Sequence, residues 1–563
     1  MAIMRLLGIL LAFAIALPAL AQTNVSSNSA YQAGPVPLSP VANPAVVSPN
    51  VRQLSLQDCI QLALKHNLDL QIDRYNPEIS LFGLRADYGA YDPSFFLSGE
   101  HVYNESGAQI LGGGFEVPGA ISDVNSFNST LSGLLPWGTK YTLGTLNSIS
   151  DTHGTTTTTA NVLTAPLSFT SNTVYALPTA GSPVPVTVLK TNFAQTFVSE
   201  PFENSSGSVG ITVTQPLLKN FWIDQTRLTI RVAKNRLKYS EQTLRLQVMQ
   251  TITTLEKAYY DLIYDRENVV VQQKAVELAE RLVVENKKKL EVGTLAPLDL
   301  QSAEAQAASS RAAVIAAQSQ LGTQERAVKQ LITDRYLQWA NLIIVPTGKL
   351  TSPHPVVNLQ DSWSKGLSLR PEIVQDRLDV EKAGIQLKYD KNQLLPELDA
   401  FATVGYNGSG AQFSEALYDL ERTDHPFYTF GGNITVPLAN ITARNNYRSD
   451  KAAMEQVVLT LKKLEETIMV SIDNDIGTIR ADFDQVQATR AAREYEEAAL
   501  DAEQKKLENG KSTTYTVLQV QRDLTNARGS EIQALDTYNK DLSQLSIDEG
   551  TTLDRLGVSL EVK

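Results

Sequence analysis

The sequence of 563 residues contains one cysteine, Cys59, and only five histidines. A single cysteine cannot form a disulfide within the chain, and no two histidines have the spacing of metal ligands. Cys59 lies in an amphipathic segment, where we expect it to be a small buried apolar residue. The sequence also lacks a phosphate-binding glycine loop and a nucleophile elbow. We therefore expect no cofactor, no metal site and no enzyme activity.

Basic charge and long hydrophobic runs are also scarce. The formal net charge of -12 disfavours a nucleic-acid partner, because phosphate binding relies on clustered lysine and arginine. Beyond residue 21, no stretch approaches the roughly eighteen consecutive apolar residues of a spanning helix. If the protein resides in a membrane, we expect β-strands to hold it there.

The N-terminus predicts export. Arg5 precedes an apolar run from Leu6 to Leu17, and Ala19-Leu20-Ala21 has the small-x-small pattern of a cleavage site. We assign residues 1–21 to a signal peptide. An uncleaved anchor is the alternative, but the run is shorter than the roughly 20 residues that a spanning helix needs. The proline-rich residues 22–51 predict a flexible leader.

Proline and glycine are almost absent from two long stretches. Between Pro216 and Pro297 there is only Gly293, and no proline follows Leu438. Apolar residues recur in the second stretch at steps of three and four: Leu461, Leu464, Ile468, Ile472, Ile476, Ile479, Phe483 and Val486. About 70 residues of helix would extend roughly 100 Å. Such helices must pack against other long helices in a coiled-coil-like wall.

The chain contains an internal duplication, which appears when the sequence is compared with itself at an offset of 303 residues. The matches at this one offset are Gln57-Asp58 with Gln360-Asp361, Leu64 with Leu367, Arg74 with Arg377, and Pro93 with Pro396. The sequence therefore predicts two repeats, residues 52–350 and residues 351–563.

Two extended regions are predicted within each repeat. Apolar residues alternate from Val209 to Thr214 and from Leu398 to Tyr406, as in half-buried strands. Prolines at 93, 216, 396 and 437 stand where strand and helix would exchange, although they could also be ordinary loop residues.

Each long helical stretch is interrupted at a matching place, by Val292-Gly293-Thr294 and by Asn509-Gly510-Lys511. A glycine after the last helical turn supplies a left-handed cap, and Pro297 suits the first turn of a returning helix. Each repeat therefore ends in a helical hairpin with a distal tip. The tip either has a role of its own or is a plain connection.

The order of helix, strand, strand and long helical hairpin, repeated twice, resembles the TolC family of outer-membrane efflux proteins. The resemblance implies an α+β membrane protein, a homotrimer whose transmembrane β-barrel continues into a long antiparallel α-helical coiled-coil barrel in the periplasm. It implies two barrel strands per repeat, which makes four per chain and twelve in the barrel of three chains. It further implies that the two tips dock on a periplasmic adaptor protein, which joins the channel to an inner-membrane efflux pump.

The function expected from this resemblance is that of an outer-membrane channel subunit in a tripartite efflux or type I secretion system. It would sit in outer-membrane lipid, with its helical tunnel in the periplasm. The alternative is an exported coiled-coil structural or adhesive surface protein. The tandem hairpins and paired strand regions favour the channel, because a fibre would show sustained heptads.

The resemblance also implies a periplasmic gate, which this sequence preserves only in part. Asp299 matches a family aspartate that holds the entrance shut, but Leu507 stands in place of its tyrosine partner. Thr516 and Gln519 occupy the positions of two aspartates that ring the entrance. Asp523, one turn further along, could supply a displaced ring. We therefore expect weak carboxylate selection of cations here.

The first strand region, between Gly99 and Ser208, is longer than the second and is rich in Ser, Thr, Asn and Gly. The tract Thr155–Thr159 predicts a flexible loop. Alternating segments on either side of Pro136-Trp137-Gly138 predict a hairpin. Whether this hairpin would lie in a barrel wall or in an external loop stays open.

Overall fold

The computed structural model describes residues 50–111, 115–163, 173–176, 184–187, 193–293 and 296–558. The predicted signal peptide, the leader up to residue 49 and the tip residue Thr294 lie outside these residues. The described chain forms two compact units. We call Tyr88–Arg227 with Lys391–Ile441 the sheet unit, and 50–87 with Leu228–Asp390 and 442–558 the helical unit.

Helices dominate the described chain, and four of them are long. In chain order they are α1 (Leu56–His66), α2 (Leu68–Asp73), α3 (Tyr75–Tyr88), α4 (Gln225–Glu291), α5 (Pro297–Ile332), α6 (Tyr336–Trp339), α7 (Leu359–Leu369), α8 (Pro371–Gln393), α9 (Phe413–Arg422), α10 (Ile441–Glu508), α11 (Thr514–Asp548) and α12 (Thr552–Leu556). None of the described helices is both long enough and apolar enough to cross a membrane.

The strands form one large sheet and three small pairs. They are β1 (Asn50–Leu54), β2 (Ser94–Glu105), β3 (Gln109–Leu111), β4 (Phe115–Val117), β5 (Ile121–Leu134), β6 (Lys140–Leu163), β7 (Thr173–Ala176), β8 (Val184–Thr187), β9 (Phe193–Pro216), β10 (Leu342–Pro346), β11 (Glu397–Gly410) and β12 (Pro426–Thr435). The large sheet is antiparallel, with the order β12-β11-β9-β6-β5-β2.

The 303-residue offset found in the sequence also relates elements of the structure. It takes Leu56, where α1 begins, to Leu359, where α7 begins. A hydrogen bond is repeated at the same offset: Arg74 Nη2 donates to the Leu64 carbonyl at 2.8 Å, and Arg377 Nη2 donates to the Leu367 carbonyl at 3.3 Å. Equivalent residues thus stabilise equivalent helix ends, while the boundaries of the two repeats remain a prediction.

The two long helical hairpins have nearly equal dimensions. α4 and α5 contain 67 and 36 residues, and α10 and α11 contain 68 and 35. The core of the second hairpin contains the predicted stripe: Ile468, Ile472, Ile476 and Ile479 are buried together against Tyr538 of α11. The periodicity of the sequence therefore identified the packed face of α10 correctly.

One hydrophobic core of the helical unit surrounds Tyr259 of α4. Its hydroxyl donates to the Leu54 carbonyl at 3.0 Å and accepts from the Gly348 N–H at 3.1 Å. These bonds tie α4 to the last residue of β1 and to the segment that follows β10. Cys59 is fully buried in the same cluster, as predicted, and burial raises the pKa of its thiol to about 12.

The parallel pair also corrects the sequence analysis. Residues 50 and 51 were assigned to the flexible leader, but they form the start of β1. β10, their partner, was not predicted at all. The backbone N–H and C=O groups of Leu342–Pro346 pair with those of β1. This pairing explains why both segments form strands.

The large sheet answers one open question and overturns one expectation. The residues up to Pro216 contribute four strands to it, namely β2 and β9, which match the two strands implied by the resemblance, and the hairpin strands β5 and β6, whose place had been left open. The tract Thr155–Thr159 is not a flexible loop but part of β6, paired residue by residue with Phe197–Pro201 of β9. Threonine is favourable in strands when a partner strand completes the hydrogen-bond ladder. The predicted hairpin around Pro136-Trp137-Gly138 is present and joins β5 to β6.

Aspartates of α10 and α11 face one another inside the second hairpin. Burial, followed by a hydrogen bond and charge repulsion from Asp548, raises the pKa of Asp475 to about 8. Burial and the neighbouring Asp541 likewise raise the pKa of Asp482 to about 7. Arg370 lies 3.0 Å from Asp548 and compensates that carboxylate. Asp475 is therefore the member of its pair that carries the proton.

This pairing predicts that the helical unit becomes less stable as the pH rises. The pKa of an aspartate in an unfolded chain is about 3.9. Between about pH 4 and pH 8 the folded state binds more protons than the unfolded state, so the free energy of unfolding falls with increasing pH. Asp475→Asn should remove part of this loss, on the order of 1 kcal/mol after allowance for partial solvent screening.

Thermal unfolding followed by circular dichroism near pH 5 and near pH 8 measures the effect. Asp473→Asn on the exposed face of the same helix is the control and should leave the pH dependence unchanged. An equal pH dependence in Asp475→Asn and the parent protein would contradict the assignment of the proton to Asp475.

Candidate functional site

The first hairpin tip is an exposed, glycine-capped turn. α4 ends at Glu291, after which the Gly293 N–H donates to the Leu290 carbonyl at 3.0 Å. Gly293 adopts a φ of 77°, in the left-handed region that favours glycine. Val292 is 73% exposed. The chain returns at Pro297, the first residue of α5, as the sequence predicted.

The second tip closes with two hydrogen bonds of a Schellman motif. The Lys511 N–H donates to the Lys506 carbonyl at 2.8 Å, and the Gly510 N–H donates to the Leu507 carbonyl at 3.1 Å. Gly510 has a φ of 69°. Thr513 then begins α11 as its N-cap. In both predicted tips, therefore, a glycine in the left-handed conformation follows the end of the outgoing helix.

A side-chain cluster stabilises the second tip. Glu503 accepts a hydrogen bond from the Lys506 ammonium at 2.8 Å and another from the Ser512 hydroxyl. These two donors hold the pKa of Glu503 below its usual range, Lys506 having the larger effect. The last turn of α10 is thereby tied to the turn that follows it, while Asn509 and Lys511 remain exposed.

The surroundings of both tip glycines are open. Apart from the glycine itself and its two chain neighbours, no described atom lies within 4 Å of the position that a Cβ would take at Gly293 or at Gly510. Within the chain, glycine is therefore required at these positions by the positive φ and not by crowding.

The two hairpins contact each other close to their tips through an apolar cluster. Leu282 of α4 packs with residues of the second hairpin: Leu500, Val517, Leu518 and Leu524, with Leu507 half-buried against them. Leu507 therefore packs against this cluster, at the position where the family resemblance implied a tyrosine. The cluster fixes the position of one hairpin against the other.

The remaining predicted gate residues lie on the first turns of the returning helices. Asp299 is partly exposed in the first turn of α5. Thr516 is partly exposed in α11, with its Oγ1 2.9 Å from Thr513 Oγ1, and Gln519 is exposed. Asp523 is partly exposed one turn further on. Steps of three and four place Thr516, Gln519 and Asp523 on one side of α11, away from the buried Val517 and Leu518.

An ion-pair network behind the second tip was missed by sequence reasoning. Glu497 of α10 accepts from Arg528 of α11 at 2.7 Å and from Arg493 at 3.1 Å. Arg493 also contacts Glu531 of α11 at 2.5 Å. These pairs clamp the two helices together. The Arg493 and Glu497 spacing of four was visible in the sequence, but the partners on α11 were not.

Comparison with known proteins identifies relatives of this architecture. The family described as "Outer membrane efflux protein" matches residues 190–333 and 363–546. The outer membrane efflux protein BepC of Brucella suis is 23% identical over 358 residues, which are 63% of this chain and 75% of that protein. The outer membrane protein TolC of Escherichia coli is 26% identical over 325 residues, 54% of this chain and 61% of TolC.

Solved structures share the fold at low sequence identity. The outer-membrane channel OprN has a TM-score of 0.61 at 13% identity, over 88% of this chain and 90% of OprN. The outer membrane protein VceC of Vibrio cholerae has a TM-score of 0.59 at 16% identity, over 88% of this chain and 96% of VceC.

The family match spans more than half of the chain and includes most of both helical hairpins. The resemblance drawn from the repeats, and the outer-membrane location that it implied, are thereby confirmed. The chain belongs to the outer membrane efflux protein family and is a TolC-like efflux channel protein of the cell outer membrane.

Proposed function

We propose that three copies of the chain form one channel, with the sheets closed into a transmembrane β-barrel and the long helices into a periplasmic tunnel. The observation that carries this proposal is the state of the sheet edges. Among the described residues, β2 and β12 each pair on one side only. An unpaired edge cannot face hydrocarbon, because its N–H and C=O groups would lack partners. Neighbouring copies would supply them.

The channel is proposed to be the outer-membrane part of a tripartite efflux or type I secretion system. Its tips, Val292-Gly293-Thr294 and Asn509-Gly510-Lys511, would dock on a periplasmic adaptor protein bound to an inner-membrane pump. The exposure of Val292 and the open space at both glycines support docking.

We infer a transport role without catalysis. Residues 1–21 would direct export, and residues 52–350 and 351–563 would be the two repeats.

The entrance of the tunnel is proposed to lie beside the tips, where Asp299, Leu507, Thr516, Gln519 and Asp523 begin the returning helices or end the outgoing one. Thr516 and Gln519 offer hydrogen bonds but no charge. A narrow entrance lined by them would bind multivalent cations weakly, in contrast to a ring of carboxylates.

An exported structural or adhesive surface protein remains the competing function. A fibre-forming coiled coil would not require a six-stranded sheet with exposed apolar side chains. Exposed apolar residues on barrel strands are expected where lipid covers them. The sheet therefore favours the channel.

The first prediction from the proposed function concerns the oligomeric state. The chain extracted in detergent should have three times its monomer mass by light scattering, because only neighbours can complete the edges of its sheet. It should also migrate as a heat-modifiable trimer from outer-membrane fractions. A stable monomer that retains channel conductance would contradict the proposed assembly.

The second prediction concerns the tips. Gly293→Trp and Gly510→Trp should each abolish efflux and leave folded trimers in the outer membrane. The strain of a side chain at positive φ is about 1–2 kcal/mol, which is too small to unfold the assembly. The lost function would come from the space that the ring occupies.

Two controls separate strain from docking. Asparagine tolerates the left-handed conformation, so Gly293→Asn and Gly510→Asn should retain more efflux than the tryptophan variants. Gly477→Ala, in open space within α10, should leave efflux unchanged. Normal efflux by both tryptophan variants at normal abundance would mean that the tips are plain connections.

The third prediction concerns the gate. Reconstituted channels should be poorly blocked by trivalent cations from the periplasmic side, and Thr516→Asp with Gln519→Asp should create blockade. Conductance in planar bilayers measures both effects. Asp523→Asn is the control, since strong blockade of the parent channel that disappears in this variant would show that the carboxylate ring has moved one turn along α11.

A further inference from the structure

We propose that the barrel has eighteen strands and admits hydrophilic molecules too bulky for a twelve-stranded barrel, an inference that rests on the proposed trimer. Each chain contributes six strands to the sheet, because the hairpin of β5 and β6 is inserted between β2 and β9. Without it, four strands per chain would give the twelve that the family resemblance implied. The number of strands in the barrel depends on whether this hairpin is part of the barrel wall.

The first observation is an apolar row that crosses all six strands without a break. Directly opposed residues of antiparallel strands point to the same face. One such chain of partners is Phe95, Leu131, Leu143, Ile211, Val404 and Tyr428. Leu131 and Leu143 come from the inserted hairpin. Phe95, Ile211, Val404 and Tyr428 are exposed, and Leu131 and Leu143 are half-buried beside them. An apolar face of this kind at one level of the sheet is the surface that lipid would cover.

The second observation is a row of hydroxyl residues that are the immediate chain neighbours of the apolar row. Because successive residues of a strand point to opposite faces, this row lies on the other face of the sheet. Its partners are Ser94, Ser132, Thr142, Thr212, Thr403 and Thr429. The hydroxyl oxygens of Thr212 and Thr403 lie 3.1 Å apart, and those of Ser94 and Ser132 lie 3.0 Å apart. The inserted hairpin thus continues both the lipid-type face and the polar face of the other strands.

The third observation is a row of glycines that continues from β6 into β9 and β11 at the same level. Gly144, Gly210 and Gly405 are register partners on β6, β9 and β11. A Cβ would come within 2.1 Å of the Ser129 carbonyl at Gly144, and within 2.4 Å of the Val404 carbonyl at Gly210. Glycine at these positions allows the backbones to approach closely. An external loop that only folded over the sheet would not require such matched glycines.

The size of the barrel follows from strand number. With strands about 4.8 Å apart and tilted by about 40°, twelve strands give a backbone diameter of about 24 Å and eighteen give about 36 Å. The cross-section more than doubles. Three copies of the polar row would line it with eighteen hydroxyl groups and no charge at that level. Such a collar suits bulky hydrophilic molecules and rejects neither sign of charge.

Cysteine labelling of trimers in the outer membrane tests the place of the hairpin. Thr142→Cys and Leu143→Cys probe the two faces of β6, and Thr212→Cys and Ile211→Cys, their register partners on β9, are the matched controls. The native Cys59 is buried and should stay unlabelled. A water-soluble maleimide should label the variants at 142 and 212, whereas only a lipid-soluble one should label those at 143 and 211.

Equal reaction of the variants at 142 and 143 with the water-soluble reagent, while the β9 pair keeps its contrast, would overturn the eighteen-stranded barrel and leave the trimeric channel standing. Loss of contrast in both pairs without trimers would instead contradict the proposed function and, with it, this inference.

Neutral polymers added to the extracellular side of reconstituted channels give a second readout of the lumen. Polymers about 1.5 times larger in radius than a twelve-stranded barrel admits should still enter and lower the conductance. A size limit equal to that of a twelve-stranded barrel would overturn the inference even if the labelling agreed with it.

Discussion

The backbone of the two edge strands constrains the rest of this protein. β2 and β12 each present a row of N–H and C=O groups that no described strand of the same chain satisfies. In hydrocarbon each unsatisfied group costs several kcal/mol, which is why the proposed channel pairs these edges with those of other copies. The long helix α10 is subject to a similar constraint, because its buried residues form one stripe and its other faces are exposed. In the proposed trimer, each chain is one third of the channel wall.

Sequence patterns predicted the helices well and the sheet less well. The stripe from Ile468 to Ile479 repeats over many turns, so a long helix gives a strong periodic signal. A barrel strand gives only a few alternations, and β6 also contains the tract Thr155–Thr159, whose composition resembles that of a loop. What makes this tract a strand is its pairing with β9, a long-range contact that composition cannot reveal.

The candidate site was predictable to the extent that it depends on local backbone geometry. Gly293 and Gly510 occupy left-handed positions, which the flanking helical patterns indicated. The partners of Arg493 and Glu497 on α11, and the packing of Leu507 with Leu282 of the other hairpin, were not visible because they join residues far apart in sequence. The charged side chains near the second tip pair across α10 and α11 and so hold the two helices together. Thr516 and Gln519, by contrast, are neutral.

The pairing of edges between copies can be observed directly by electron cryomicroscopy of the intact assembly. The account predicts a particle with threefold symmetry, in which β2 of one protomer pairs with β12 of the next and β5 and β6 lie in the closed ring of strands. A sheet that closes within a single chain, or a ring that leaves β5 and β6 outside it, would contradict the account.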